Sequence, residues 1–150
     1  MLAILSGCFF SKFMKTEKVP FSLEGISYFS FAYSYGRFGS ERMTYKLQIL
    51  DGEYQALIIN RGNKEETQES FAVEEEFLKE LTEILVSNHV ETWNGFRESD
   101  SEVTDGNDFD LQMKNNKNEN FVASGYESWP ENYKEVKERV EALFLGLLAD

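Results

Sequence analysis

The strongest constraint on the fold lies between residues 42 and 60, where two β-like segments flank a two-residue turn signal. Arg42 to Leu50 alternates between apolar and polar side chains, which is the period of a half-buried β-strand. Asp51-Gly52 follows, and this dipeptide favours the type I′ turn that joins paired antiparallel strands. Glu53 to Asn60 is interpreted as the returning strand. The segment therefore predicts a β-hairpin whose first strand has one apolar face, formed by Met43, Tyr45, Leu47 and Ile49.

Further strands are predicted on both sides of this hairpin. Ile26 to Tyr35 has aromatic side chains at alternate positions, which is typical of a strand. Arg61 to Glu69 is polar and is interpreted as a loop. Asp108 to Lys114 and Phe121 to Ser124 are separated by a polar turn and predict a second hairpin. The sequence thus predicts five strands in two antiparallel groups.

Two helices are predicted from apolar residues spaced three and four positions apart. The first covers Phe71 to Asn88, follows a potential N-cap at Ser70 and carries three glutamates in its first turn. The second begins near Ser128, which has capping-box spacing to Glu131, and continues to the C-terminus. The order β-β-β-α-β-β-α predicts a two-layer α+β sandwich, in which two helices cover one face of a five-stranded, mainly antiparallel sheet.

Length and composition limit the functions open to the chain. Its 150 residues suffice for a core of ordinary size, and residues 25–150 are predicted to form one α+β domain. Acidic residues number 27 against 15 basic ones, and the net charge of −12 disfavours binding to nucleic acid. One cysteine and one histidine provide neither a disulfide framework nor a set of soft metal ligands. The sequence contains no run of about 18 consecutive apolar residues, so it predicts no membrane-spanning helix.

Residues 1–24 are predicted to be a leader or tether. Ten of the first fourteen residues are apolar, and this stretch contains Leu5-Ser6-Gly7-Cys8. The tetrapeptide resembles the lipobox of bacterial lipoproteins. The resemblance implies that Cys8 is diacylated and becomes the first residue of the mature chain. Two acyl chains on one cysteine give stable anchoring to a membrane.

The leader departs from the lipoprotein pattern in two respects. No Lys or Arg precedes Cys8, and only Met1 to Leu5 provide an apolar region, which in signal peptides has about 7–15 residues. Phenylalanines also stand where a polar spacer usually follows the cysteine. Two alternatives stay open. Residues 2–13 pack on the domain with Cys8 as a buried thiol, or translation starts at Met14.

Four short motifs in the C-terminal part of the chain resemble a known domain family. They are Trp93-Asn94-Gly95-Phe96, Asp105-Gly106-Asn107-Asp108-Phe109, Ala123-Ser124-Gly125-Tyr126 and Trp129-Pro130-Glu131-Asn132-Tyr133. Together they are similar to an uncharacterised small domain of gut and soil bacteria, mostly Firmicutes, that is often carried on lipoproteins. The resemblance covers about the last two-fifths of the chain and, more weakly, the first strands. It implies a lipoprotein but no particular activity.

Few residue patterns indicate catalysis or metal binding. His89, the one histidine, lies at the end of the first predicted helix, where a capping role is favoured over a role as general base. Cys8 has no basic neighbour in sequence that would favour its thiolate. The acidic residues from Asp100 to Asp110 suit a hard cation, but Ser101 and Val103 occupy ligand positions of an EF-hand, which favours a solvated loop. We therefore predict no cofactor, no metal site and no enzymatic activity.

Four aromatic residues outside the periodic stripes are candidates for binding: Trp93, Phe96, Tyr126 and Trp129. They lie near the ends of predicted elements, so we expect them at one end of the sheet. Large aromatic side chains in such a position form recognition patches, and the alternative is that they close the edge of the core. Arg37 and Phe38, at the tip of the first hairpin, are a second and weaker candidate.

These features predict a non-enzymatic, extracytoplasmic binding or accessory domain of unknown ligand, anchored at the bacterial cell envelope through a lipid on Cys8. The alternative is a cytoplasmic acidic protein of the immunity type, whose negative charge binds a basic protein partner. A carboxylate-based hydrolase would need two acidic side chains converging in one pocket. We expect neither nucleic acid nor a membrane surface as a partner, apart from the lipid anchor.

Overall fold

The computed structural model describes residues 20–149, which form seven strands and two helices. The strands are β1 (Ile26–Tyr35), β2 (Glu41–Leu50), β3 (Glu53–Arg61), β4 (Glu66–Val73), β5 (Arg97–Ser99), β6 (Asp108–Asn115) and β7 (Asn120–Tyr126). The helices are α1 (Glu75–Ser87) and α2 (Tyr133–Leu145). Short 3₁₀ turns cover Arg37–Gly39, Val90–Trp93 and Gly146–Ala149.

The strands form one sheet in the order β4-β3-β2-β1-β6-β7-β5. Neighbours pair antiparallel, except that β5 runs parallel to β7. In the β2–β3 hairpin both turn residues have positive φ, 53° at Asp51 and 80° at Gly52, as a type I′ turn requires. The predicted α+β class, with two helices and a mostly antiparallel sheet, is confirmed. The prediction of five strands is wrong.

The two strands that were not predicted lie at the edges of the sheet. β4 comes partly from the segment interpreted as a loop, and it pairs with β3 from Arg61↔Glu66 to Tyr54↔Val73. Most of its side chains are exposed, and β4 is held in place mainly by backbone pairing with β3. Because few of its side chains are buried, its sequence shows no apolar alternation. β5 has only three residues, all exposed, which is too short for a periodic pattern.

The helix α1 begins four residues later than predicted, at Glu75 instead of Phe71. Phe71 and Val73 belong to β4, and the N-cap is Glu74 instead of Ser70. The predicted stripe therefore mixes two elements. A strand that leads directly into a helix leaves no turn residues between them to mark the boundary.

The helix α2 begins at Tyr133, so the predicted capping box between Ser128 and Glu131 is wrong. The Ser128 hydroxyl donates to Glu98 Oε2 (3.0 Å), and the backbone N–H of Tyr133 donates to the Pro130 carbonyl (3.2 Å). This turn separates Ser128 from the helix. Within residues 20–149, neither helix is long and apolar enough to cross a membrane.

The core lies between one face of the sheet and the two helices. Phe144 of α2 is fully buried at its centre. Its ring centroid lies 5.1 Å from that of Phe77 in α1, 5.3 Å from Tyr45 in β2 and 6.2 Å from Phe29 in β1. One side chain thus joins α2 to the other helix and to two central strands.

The core also includes residues that the sequence analysis assigned to the leader. Phe21 and Leu23 are buried, and the ring of Phe21 packs edge-on against Phe121 of β7 at 5.4 Å. The Asn115 side chain donates to the Ser22 carbonyl (2.9 Å). The packed domain therefore includes residues before the predicted boundary at residue 25.

Candidate functional site

A cleft of about 730 Å³ opens at one end of the sheet. One wall comes from the end of β1 and the residues that lead into β6, and the other from the segment before α2 and the first turns of that helix. Its lining combines aromatic, amide and charged side chains, including Tyr33, Ser34, Asn107, Asp108, Trp129, Tyr133, Lys134, Lys137 and Glu138. Clefts of about 300–1,000 Å³ with such mixed lining are typical of small-molecule sites.

Trp129 is the large aromatic side chain on the cleft wall that keeps substantial exposure. Its ring lies 4.8 Å from Tyr133 at an interplanar angle of 30°, and 5.8 Å from Phe109 at 33°. Phe109 is fully buried, whereas 41% of Trp129 remains exposed. The indole is thus supported by core aromatics while part of its surface stays available to a ligand.

Gly125 allows the chain before Trp129 to fold back onto the sheet. A Cβ atom at this position would lie 2.1 Å from the Ser128 carbonyl oxygen and 2.7 Å from Phe109 Cε1. These distances leave no room for any side chain at residue 125. The close approach of segment 125–128 to Phe109 therefore requires glycine, and it places Trp129 over the same ring.

The loop before β6 is tied to this segment by hydrogen bonds. The Glu127 N–H donates to the Asn107 carbonyl, and the Asn107 N–H donates to Glu127 Oε1, both at 2.8 Å. The Tyr126 hydroxyl accepts from the Gly106 N–H (2.7 Å) and donates to the Val103 carbonyl (3.2 Å). Residues 103–107 and 125–129 are thus held together as one unit.

Three of the four predicted binding aromatics support the site instead of facing the solvent freely. Trp93 is buried, and its indole N–H donates to the Glu131 carbonyl (3.0 Å). Phe96 is partly buried, with its ring 6.1 Å from Phe109, and Tyr126 holds the neighbouring loop. The four residues do gather at one end of the sheet, but only Trp129 among them is an exposed part of the cleft wall.

The charged groups around the cleft are largely paired within the protein. Arg42 Nη1 lies 3.1 and 3.2 Å from the two oxygens of Asp108, whose N–H donates to Ser34 Oγ (2.8 Å). Two further pairs are Lys134–Glu138 at 3.5 Å and Lys137–Glu141 at 3.7 Å. The Lys137 ammonium also lies 4.4 Å from the centre of the Tyr33 ring. Most charged groups of the walls are thus paired, and Glu135 is the lining residue without an ion pair among residues 20–149.

Three tyrosines at or behind the cleft have pKa values above the ordinary value of 10.0. Burial raises the pKa of Tyr33 most, and its hydrogen bond to Glu141 raises it further. Burial is also the largest cause at Tyr45 and Tyr133; the charge of Asp108 adds to the raised pKa of Tyr133. The Tyr33 hydroxyl donates its hydrogen bond to Glu141, and all three phenolic protons are held more tightly than in the unfolded chain.

The raised tyrosine pKa values predict that alkaline pH destabilises the fold. The folded state holds the phenolic protons more tightly, so stability is complete below pH 10 and falls as the pH rises above it. Between its unfolded and folded pKa, a buried tyrosine contributes a slope of up to about 1.4 kcal/mol per pH unit. Urea unfolding at pH 9–11 should show a shallower fall for Tyr45→Phe than for the unchanged chain. Equal slopes for the two proteins would contradict the prediction. Lysines also titrate in this pH range, but they are the same in both proteins, so their effect cancels when one stability curve is subtracted from the other.

The other residues considered in the sequence do not line the cleft. His89 follows α1 in a left-handed conformation (φ 53°), and its Nδ1 lies 3.6 Å from Glu91. At this end of α1 the Asn88 side chain donates to the Ile84 carbonyl (2.8 Å), whereas the His89 imidazole lies beside Glu91. Cys8 lies outside the described residues.

The two remaining sequence candidates are exposed loops beside the cleft. Phe38 is 68% exposed, with the Arg37 guanidinium 5.8 Å from its ring centre. Residues 101–105 are exposed and lead into β6. Among residues 20–149, no group of three or more His, Cys, Asp or Glu side chains is arranged to hold a metal ion.

Several cleft residues were not identified from the sequence. Tyr33 lies in the aromatic run of β1, Asp108 was predicted only as an outward-facing strand residue, and Lys137 sits between the apolar positions of the last helix. Their meeting depends on the pairing of β1 with β6, in which Tyr33 lies opposite Phe109. No local signal in the sequence encodes this pairing.

Comparison of the chain with models of known protein families, and with curated proteins, found no match. The resemblance to a small Firmicutes domain therefore stays a prediction.

Proposed function

We propose that this chain is a non-enzymatic binding domain, which takes its ligand in the cleft beside Trp129 and is held at the bacterial cell envelope by a lipid on Cys8. The observation that carries the proposal is the position of Trp129. Its indole is packed on Tyr133 and Phe109, yet it keeps 41% of its surface exposed in a cleft of about 730 Å³. An aromatic group held in place before the ligand arrives loses little conformational entropy on binding.

The polar groups of the cleft suit binding better than catalysis. A nucleophile needs a neighbouring base that removes its proton, and the base needs a third group that orients it. The hydroxyl of Ser34 already accepts the Asp108 N–H, and that carboxylate faces Arg42. The imidazole of His89 lies elsewhere, beside Glu91. These groups are arranged to fix the walls of the cleft.

The lipid anchor is proposed from Leu5-Ser6-Gly7-Cys8. Because Phe21 already packs in the core, residues 9–20 would connect the acylated cysteine to the domain. The test is incorporation of radiolabelled palmitate into the chain expressed in a bacterium from its gene with the upstream DNA. We expect label in the unchanged chain and none in Cys8→Ser. An unlabelled chain would contradict the anchor and favour a cytoplasmic location.

The binding function is tested by thermal unfolding in the presence of a chemically mixed panel of small ligands. A ligand that binds only the folded state raises Tm, and the shift grows with the logarithm of ligand concentration once this exceeds Kd. We expect at least one compound to raise Tm of the unchanged chain but not of Trp129→Ala. If no compound distinguishes the two proteins, the cleft is not a binding site of this kind. Leu50→Ala, which removes an exposed apolar side chain at the β2–β3 turn and outside the cleft lining, is the matched control.

A second candidate function is the neutralisation of a basic protein in the cytoplasm. It is supported by the net charge of −12 and by the outer surface of α1, which exposes several glutamates. Such an association would be steered by charge and would weaken strongly with salt. A gene for a basic toxin beside this gene, and salt-sensitive binding of that toxin, would support it. Replacing Glu75, Glu76, Glu80 and Glu83 with Gln should then slow association.

A further inference from the structure

We infer that the ligand of the cleft is a neutral carbohydrate, one sugar ring of which stacks on Trp129 while its hydroxyl groups bond to the opposite wall. This inference rests on the proposed binding function and names its ligand class. It depends on three properties of the walls: their charge, the stacked aromatics and the fixed polar groups.

The charge of the walls favours a neutral ligand. Asp108 faces Arg42, Lys134 faces Glu138 and Lys137 faces Glu141, each pair within 4 Å. A charge that already has a partner gains little from an ionic ligand, because the ligand would have to displace that partner and lose its own hydration. Of the charged residues that line the cleft, Glu135 is the one without an ion pair among residues 20–149, and its charge repels anions. A neutral, polar molecule therefore fits the cleft better than an anionic one.

The stack of Trp129, Tyr133 and Phe109 favours a ligand with one flat apolar face. The face of an aromatic ring carries a partial negative charge and attracts weakly positive C–H groups. One face of a pyranose ring presents such C–H groups, while its hydroxyls point outward from the ring edge. Because Tyr133 and Phe109 support the indole within 6 Å, a sugar can stack on it without first ordering the side chain.

The opposite wall offers groups that match sugar hydroxyls. The carboxylate of Asp108 is oriented by Arg42 and remains about 40% exposed, so it can accept hydrogen bonds from hydroxyl donors. The amide of Asn107 lines the same wall, and its backbone is fixed by Glu127. On the same wall as Trp129, the hydroxyl of Tyr133 offers a further donor. Paired acceptors and donors beside an aromatic face are what a polyhydroxylated ring requires.

The test is a titration of the protein with neutral hexasaccharides of glucose, xylose, mannose and N-acetylglucosamine, measured by calorimetry and by tryptophan fluorescence. Polygalacturonate serves as the charged comparison. We expect at least one neutral sugar to bind and to change the fluorescence. Trp129→Ala should weaken this binding about tenfold or more, and Asp108→Asn should also weaken it. Leu50→Ala, at an exposed apolar residue outside the cleft lining, should leave the affinity within about twofold of the unchanged chain.

The outcomes separate this inference from the proposed function. If no neutral sugar binds, but another ligand raises Tm in a manner that depends on Trp129, the carbohydrate inference is overturned and the binding function stands. If neither sugars nor the mixed panel distinguish Trp129→Ala from the unchanged chain, both are overturned. Tighter binding of polygalacturonate than of every neutral sugar would also overturn the inference, because the walls would then select for charge. Circular dichroism of each variant confirms that it folds.

Discussion

Gly125→Ala is expected to lower the free energy of unfolding by about 3 kcal/mol, since overpacking at a site that cannot relax lies at the upper end of its usual cost. The added methyl group would lie 2.1 Å from the Ser128 carbonyl oxygen and 2.7 Å from Phe109. The first contact is with backbone, so segment 125–128 must move as a whole. We also expect the fluorescence of Trp129 to change, because this segment positions its indole.

The matched control is the same substitution at Gly146. Apart from its own helix backbone and chain neighbours, nothing lies within 4 Å of a Cβ at this position, and the residue is helical, with φ −58° and ψ −27°. Gly146→Ala is therefore expected to stabilise the domain by about 0.5 kcal/mol, by restricting the unfolded chain. Urea denaturation followed by circular dichroism measures both values. Equal effects at the two positions would show that segment 125–128 does not pack as described.

Phe144→Ala is expected to lower the free energy of unfolding by about 3–5 kcal/mol, the usual range for removal of a buried phenylalanine. The ring is fully buried and lies within 6.2 Å of Phe77, Tyr45 and Phe29. Its loss leaves a cavity where both helices meet the sheet. Because a domain of this size has a stability of about 5–15 kcal/mol, this loss removes a large fraction of it and should lower Tm by many degrees.

The neighbouring Leu145 provides the control for this prediction. It is 42% exposed, so Leu145→Ala should cost less than about 1 kcal/mol. A similar loss at both positions would mean that α2 does not present Phe144 to the core. The pair of variants thus tests which face of α2 packs on the sheet, in addition to whether the helix forms.

The elements that sequence patterns predicted well are those with one apolar and one polar face. The β2–β3 hairpin has an alternating first strand followed by Asp51-Gly52, and the register in the structure follows from that turn. The helix α2 was detected because Val136, Val140 and Phe144 all face the core. In each case buried residues recur with the period of the strand or helix, so the hydrophobic pattern of the sequence identifies the element.

The strand that was missed and the helix start that was misplaced depend on backbone pairing and long-range hydrogen bonds, which leave no hydrophobic period in the sequence. The strand β4 is an edge strand with mostly exposed side chains, and its backbone pairing with β3 leaves no trace in hydrophobicity. The start of α2 was misplaced because Ser128 and Glu131 have capping-box spacing, yet Ser128 donates its hydrogen bond to Glu98, far away in sequence. Local spacing alone cannot distinguish a cap from a long-range contact.

The candidate site was predictable in part. Aromatic residues outside the periodic stripes indicated the correct end of the sheet, and Trp129 was among them. Which of them would be exposed depends on contacts between distant segments, such as the bond from Trp93 to Glu131 and the packing of Trp129 on Phe109. Asp108 and Tyr33 join the site only through the pairing of β6 with β1.

The central claim is that Trp129 is held rigidly at the cleft before any ligand binds. Fluorine NMR of the protein labelled with 5-fluorotryptophan tests it directly, because the chain has two tryptophans and Trp93 is an internal reference for a buried ring. Trp129→Phe assigns the two signals. We expect the signals of Trp129 and Trp93 to have similar transverse relaxation rates, as for two rings that tumble with the domain. A sharp, slowly relaxing Trp129 signal, typical of a freely rotating surface side chain, would contradict the claim.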